Sequence, residues 1–247
     1  MTKLFVALLI IVSFNAFAMR NGKKMKHVSS PSLVHLQIGQ GTCSGVRISK
    51  SFILTAAHCF KKNPKKFTIR YINGSKIIIE KIHYSDVIIK GTDLSEELAI
   101  VPINAPELPE DQVITTFPIY PYEPNHFFLT DEFTIAGFGM NQSGSIGTLK
   151  EGQVTFKQDY RRSANPDLPM LVVQPKKSND FPCPGDSGGP IFSYKGGEKS
   201  LVGIVSFIAS SKVNLQNYEP QEQCRLANLA SYIPISMHMD FLQRFLD

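Results

Sequence analysis

The sequence predicts an all-β protein built as two similar halves and closed by one helix, and three features carry that prediction. Apolar runs of four to eight residues, rich in β-branched and aromatic side chains and bounded by Gly, Asn, Lys or Pro, recur through the chain. A proline-dense stretch separates two sets of such runs, and the last apolar residues follow a helical rather than a strand period. With 43% hydrophobic residues among 247, the chain can bury one large or two small cores. Strand spacing alone is compatible with a barrel or a sandwich.

The chain opens with Lys3, an apolar run from Leu4 to Ala16 and the small-x-small pattern Ala16-Phe17-Ala18, the form of a cleavable secretory signal over residues 1–18. That run is too short to span a bilayer, and no other stretch reads as a crossing segment. A polar segment, Met19 to Ser30, leads into the first half, about 28–103, with strands expected at 33–38, 46–48, 52–54, 67–71, 76–82 and 98–103. Pro106, Pro109, Pro118, Pro121 and Pro124 remove ladder donors and fix φ, marking a connector over about 104–124. The second half, about 125–235, has strands expected at 133–136, 153–156, 170–173, 191–193, 201–206 and 227–235. Met237, Phe241, Leu242 and Phe245 share one face of a closing helix over 237–246.

The formal charge of +5 is mild. Lys61, Lys62, Lys65 and Lys66 cluster around Asn63-Pro64 and read as a solvated loop; without interleaved aromatics they exclude a nucleic-acid site. Four cysteines in an exported chain suggest two disulfides, with three connectivities open. A zinc site is disfavoured, because His58 and Cys59 adjoin without ligand spacing.

Two runs carry the chemistry. Cys183-Pro-Gly-Asp-Ser-Gly-Gly-Pro190 sets Ser187 on a glycine-rich turn, and a serine nucleophile needs a general base, which Thr55-Ala-Ala-His58-Cys59 supplies. Together these runs resemble the trypsin/chymotrypsin-like serine protease family. The resemblance implies two six-stranded antiparallel barrels with a cleft between them, a polypeptide substrate, no cofactor and no metal, and a secreted or periplasmic monomer. It pairs Cys43 with Cys59 and Cys183 with Cys224, makes Ser187 the nucleophile and His58 the base, and assigns the oxyanion hole to the amides of Gly185 and Ser187. Asp186 becomes the buried partner of the processed N-terminus.

The third triad member departs from the pattern. The family places Asp before a hydrophobic-Ala-hydrophobic strand, whereas here Leu98-Ala-Ile-Val101 follows Glu97; Ser206 is placed to steady that longer carboxylate, and Asp93 is the alternative acid. At the base of the primary pocket the resemblance puts Phe181, with Ile208 narrowing the wall, which predicts aliphatic preference rather than cleavage after Arg or Lys. Met19-Arg-Asn-Gly22 resembles the family's activated N-terminus, so cleavage after Ala18 is expected to be the activating cut; the alternative is a short pro-segment ending before His27 or Val28. The competing functional classes are a catalytically impaired homologue that acts as a binding protein, and an esterase using the same triad.

Overall fold

The structure, a computed structural model, describes residues 19–20, 22–25, 32–61, 65–73, 76–91, 97–104, 132–141, 143–160, 170–175, 181–195 and 198–246. The signal segment 1–18, Asp93, His27, Val28 and the proline-rich connector from residue 105 onward lie outside the described residues.

Strands dominate. The first sheet uses β2 (Leu33–Ile38), β3 (Gly41–Arg47), β4 (Phe52–Ala56), β5 (Lys66–Asn73), β6 (Lys76–His83), β7 (Ile88–Ile89) and β8 (Leu98–Pro102). Its order is β6-β5-β2-β3-β4-β8-β7, antiparallel throughout, a curled half-barrel. The second sheet contains β1 (Lys23–Lys24), β9 (Glu132–Gly137), β10 (Lys150–Tyr160), β11 (Met170–Pro175), β12 (Pro190–Lys195), β13 (Glu198–Ala209) and β14 (Leu229–Pro234). There β10 pairs with both β11 and β9, so six strands close into a barrel and β1 adds to β10 outside the ring. Three register shifts, one in β10 between Phe156 and Gln158 and two in β13 at Val202 and Ser206, bend these two strands, which is how a sheet turns tightly enough to close.

The period of two in β4 and β8 explains how the sheets meet. Ile53, Ala99 and Val101 point into the curl of the first sheet with Val34, Leu36 and Ile69, while Leu54, Ala56, Leu98 and Ile100 point the other way. The second set packs against Phe138, Phe192, Leu201 and Ile204 of the barrel, so both strands are buried on both faces and read as continuous apolar runs. A third cluster fills the barrel around Phe133, Ile135, Val154, Val205 and Tyr232.

The chain ends in a 3-10 turn (Ile235–His238), α2 (Met239–Leu242) and a second 3-10 turn (Gln243–Phe245) that cap the seam between the sheets. Leu242 and Phe245 are buried there as expected, but Met239 rather than Met237 packs alongside them, because the tighter 3-10 turn advances the side-chain phase. A short helix, α1 (Pro220–Leu226), starts with proline at its first turn and carries Cys224.

Candidate active site

Two adjacent strand ends bring a histidine to a carboxylate. In the β4–β8 ladder Ala56 pairs with Leu98, and the Ala57 amide extends it by donating to the Glu97 carbonyl at 2.9 Å. The chain leaves β4 in a 3-10 turn (Ala57–Phe60) that carries His58, while Glu97 immediately precedes β8. His58 Nδ1 lies 2.8 Å from Glu97 Oε2. Since an ionised carboxylate only accepts, the Nδ1 proton is the one donated, which leaves Nε2 as the acceptor nitrogen of a neutral ring. The Glu97 side chain is 1% exposed and that of His58 24%, so the acid is enclosed and the imidazole faces the cleft.

Ser206 adds the second donor to the acid. It is the extra residue at the register shift between Val205 and Phe207, and a bulge re-aims its residue out of the strand's alternation. Its hydroxyl donates to Glu97 Oε2 at 3.3 Å, and its carbonyl accepts from the Ser187 hydroxyl at 3.3 Å. Among the described residues the Ser187 hydroxyl makes no hydrogen bond to His58; the two line one cleft of about 790 Å³ with Glu97, Ser206, Gly185 and Ile208.

The turn holding Ser187 is defined by backbone conformations only glycine adopts readily. Gly185 has φ +97° and Gly188 φ +79°. Asp186 N donates to Cys183 O at 3.0 Å, Gly188 N to Val205 O at 2.8 Å and Gly189 N to Asp186 O at 2.9 Å. Among the described residues neither the Gly185 amide nor the Ser187 amide has an internal acceptor, and both residues border the cleft. The Cys183–Cys224 disulfide ties this turn to α1, and the Cys43–Cys59 disulfide ties β3 to the turn that carries His58.

Asp186 is fully buried, accepting from Gly139 N at 2.8 Å and Cys183 N at 2.9 Å. Burial pushes its carboxyl up to about 7, with the two amides and the nearby Lys150 charge pulling the other way. Close by, Met19 is 1% exposed and its amide donates to the carbonyl of Met140 at 3.2 Å, the residue after Gly139. Met19 has φ +50°, the only positive value at a non-glycine among the described residues and a strain of about 1–2 kcal/mol. Arg20, at a position where the family pattern is apolar, lays its guanidinium 5.8 Å from the Phe181 ring centre and donates to the Arg225 carbonyl at 2.7 Å.

Phe181 is itself completely buried, packed with Met19 in the barrel core, and it is not among the cleft-lining residues. Ile208 does line the cleft and continues into a second depression bounded by residues 207–216. One residue that sequence reasoning assigned to a solvated loop belongs to the site: Lys61 Nζ is 3.5 Å from Glu97 Oε1. Its spacing of three from His58 was the available signal, but a lysine cluster beside a proline gives no reason to single out one member.

The chain is similar in sequence to known peptidases. The chain is 23% identical over 235 residues to an uncharacterized peptidase of Corynebacterium glutamicum strain R, covering 94% of this chain and 75% of that one. It is 28% and 26% identical over 212 residues to the hepatocyte growth factor activator serine proteases of Canis lupus familiaris and Homo sapiens, covering 72% of this chain and 31% of each of those. The family model for Trypsin matches residues 19–232, most of the sequence and every residue that borders the cleft, and the chain therefore belongs to the trypsin family.

Proposed function

We propose that the protein is a secreted or periplasmic serine endopeptidase working through an acyl-enzyme on Ser187. The observation that carries this reading is the 2.8 Å contact between His58 Nδ1 and Glu97 Oε2, with both side chains in the cleft that holds Ser187. In the reaction the Ser187 hydroxyl turns from the Ser206 carbonyl to His58 Nε2. Its oxygen bonds to the peptide carbonyl carbon while its proton passes to Nε2. Glu97 accepts from Nδ1 and stabilises the imidazolium that results. The amides of Gly185 and Ser187, which have no internal acceptor among the described residues, hold the oxyanion. The leaving amine then takes the Nε2 proton, and water repeats the sequence in reverse to release the acid and regenerate Ser187.

Glu97 is the orienting acid in this proposal, and Asp93 is the alternative. The cleft wall at Ile208 supports a preference for aliphatic side chains over Arg or Lys. The burial of Met19 beside the shell of Asp186 supports activation by removal of residues 1–18, with the Met19 ammonium as counter-charge to Asp186.

A fluorophosphonate probe and a peptide library, applied to purified mature protein, test the reading. Wild type is expected to be labelled and to cleave peptides; Ser187→Ala and His58→Ala are expected to do neither while remaining folded. Glu97→Gln should lower kcat by orders of magnitude and Asp93→Asn should not. Labelling of Ser187→Ala would refute the nucleophile, and a folded wild type that is neither labelled nor active would leave the binding-protein class.

A further inference from the structure

The triad acid carries one oxygen too many for its hydrogen bonds. Glu97 Oε2 receives both His58 Nδ1 at 2.8 Å and Ser206 Oγ at 3.3 Å. Its other oxygen, Oε1, is buried and has no hydrogen bond among the described residues. An ionised carboxylate oxygen left dry and unbonded is expensive, and a group with the three rotatable bonds of Glu has a way out: it rotates until the oxygen reaches water, drawing Oε2 off the imidazole. What faces Oε1 is the ammonium of Lys61 at 3.5 Å.

Lys61 is delivered there by the same turn that delivers His58. It follows the 3-10 turn (Ala57–Phe60), and its amide donates to the His58 carbonyl at 3.2 Å. Its side chain is 65% exposed, so the ammonium keeps most of its hydration while closing the mouth of an otherwise enclosed carboxylate. Lys61 also lines the cleft.

We propose that Lys61 is a positioning residue that holds Glu97 against His58: its charge satisfies Oε1 and so keeps Oε2 on Nδ1. This rests on the proposal that Glu97 is the triad acid. It gives the longer acid a partner matched to its length, since the extra methylene that carries the carboxylate to His58 also leaves an oxygen for a cation to hold.

The test uses full-length mature protein. Lys61→Met is expected to lower kcat about two- to fivefold, the range for one partly exposed ion pair, with KM changed less than twofold. Lys61→Arg should recover most of that loss, and Lys61→Glu should exceed it by setting two like charges together. High salt should depress kcat of wild type and leave Lys61→Met unmoved, because only the former has an ion pair to screen. An activity-independent reading comes from Ser187→Ala protein: the far-downfield proton resonance of a hydrogen-bonded His58 Nδ1–H should be present, and should broaden or vanish when Lys61→Met is added. Lys61→Met with wild-type kcat and an unaltered resonance overturns the role of Lys61 while leaving the triad intact. Absence of that resonance in the Ser187→Ala protein, together with an active Glu97→Gln, overturns both.

Discussion

The backbone amide of Ser44 donates to the carbonyl oxygen of Ser187 at 2.8 Å, joining β3 of the half-barrel to the turn that carries the serine. The remaining polar groups of Ser44 serve the same seam. Its hydroxyl donates to Gly185 O at 3.1 Å and accepts from Phe138 N at 2.9 Å, and its carbonyl accepts from the Thr55 hydroxyl at 2.7 Å. A single small residue in one sheet therefore sets the height and tilt of the turn in the other.

Ser44→Ala keeps the backbone bond and deletes both hydroxyl bonds, taking the Ser44 oxygen away from the buried Phe138 N–H. A loss of about 1–3 kcal/mol is expected in urea unfolding, with lower kcat as the Gly185 carbonyl is released. Unchanged stability and unchanged turnover would show that the hydroxyl is dispensable.

Gly188→Ala is expected to be far worse. Gly188 has φ +79°, and a Cβ there would run into the Thr55 hydroxyl and the Ser44 carbonyl. Loss of several kcal/mol or failure to fold should follow. Gly39→Ala is the control: φ is +61° but nothing among the described residues lies within 4 Å, so only about 1–2 kcal/mol of backbone strain is expected. Thermal unfolding of the two variants side by side separates collision from conformation.

These seams mark what the sequence hides. Most strands were legible where short β-branched runs met turn residues, but β7 (Ile88–Ile89) was not among those expected, and the burial of β4 and β8 on both faces emerges only from the packing of the two sheets. Ser187 and His58 stood out as candidates because a glycine-rich turn and a five-residue run are local patterns. Side chains whose roles depend on distant partners were not. Phe181, expected at the pocket base, is packed with Met19 in the barrel core. Arg47 gives no hint of being fully buried, yet it stacks 5.1 Å over Tyr71 and donates to the Lys50 carbonyl at 3.0 Å. Lys61 looked like one of four equivalent lysines until the β4–β8 register put Glu97 beside it.

Stability of a form extended before Met19 should fall as pH rises from about 4 to about 7. In that form the Asp186 carboxyl sits at about 7, above the 3.8 of an unperturbed group, so the folded state binds the proton more tightly. The stabilising contribution is full below the lower value and is lost as pH climbs through the upper, to a ceiling of roughly 4 kcal/mol at about 1.4 kcal/mol per unit. Denaturation curves at pH 4, 5.5 and 7 should show the decline, and Asp186→Asn should abolish it. A form starting at Met19 should decline much less, since the ammonium favours the charged carboxylate.

Ile208→Gly should widen the cleft where Ile208 lines it. The ratio of kcat/KM for a bulky aromatic over a small aliphatic residue at the cleavage position is expected to rise by about tenfold or more. A library profile identical to wild type would move the specificity wall elsewhere.

The strained dihedral at Met19 has a practical side. A φ angle exists only while a residue precedes it, so hydrolysis of the bond before Met19 erases the +50° twist instead of merely relaxing it, and nothing in the folded protein favours re-forming that bond. The same logic governs purification handles. Residues fused in front of Met19 would reinstate the twist and would have to be led out past a side chain that is 1% exposed.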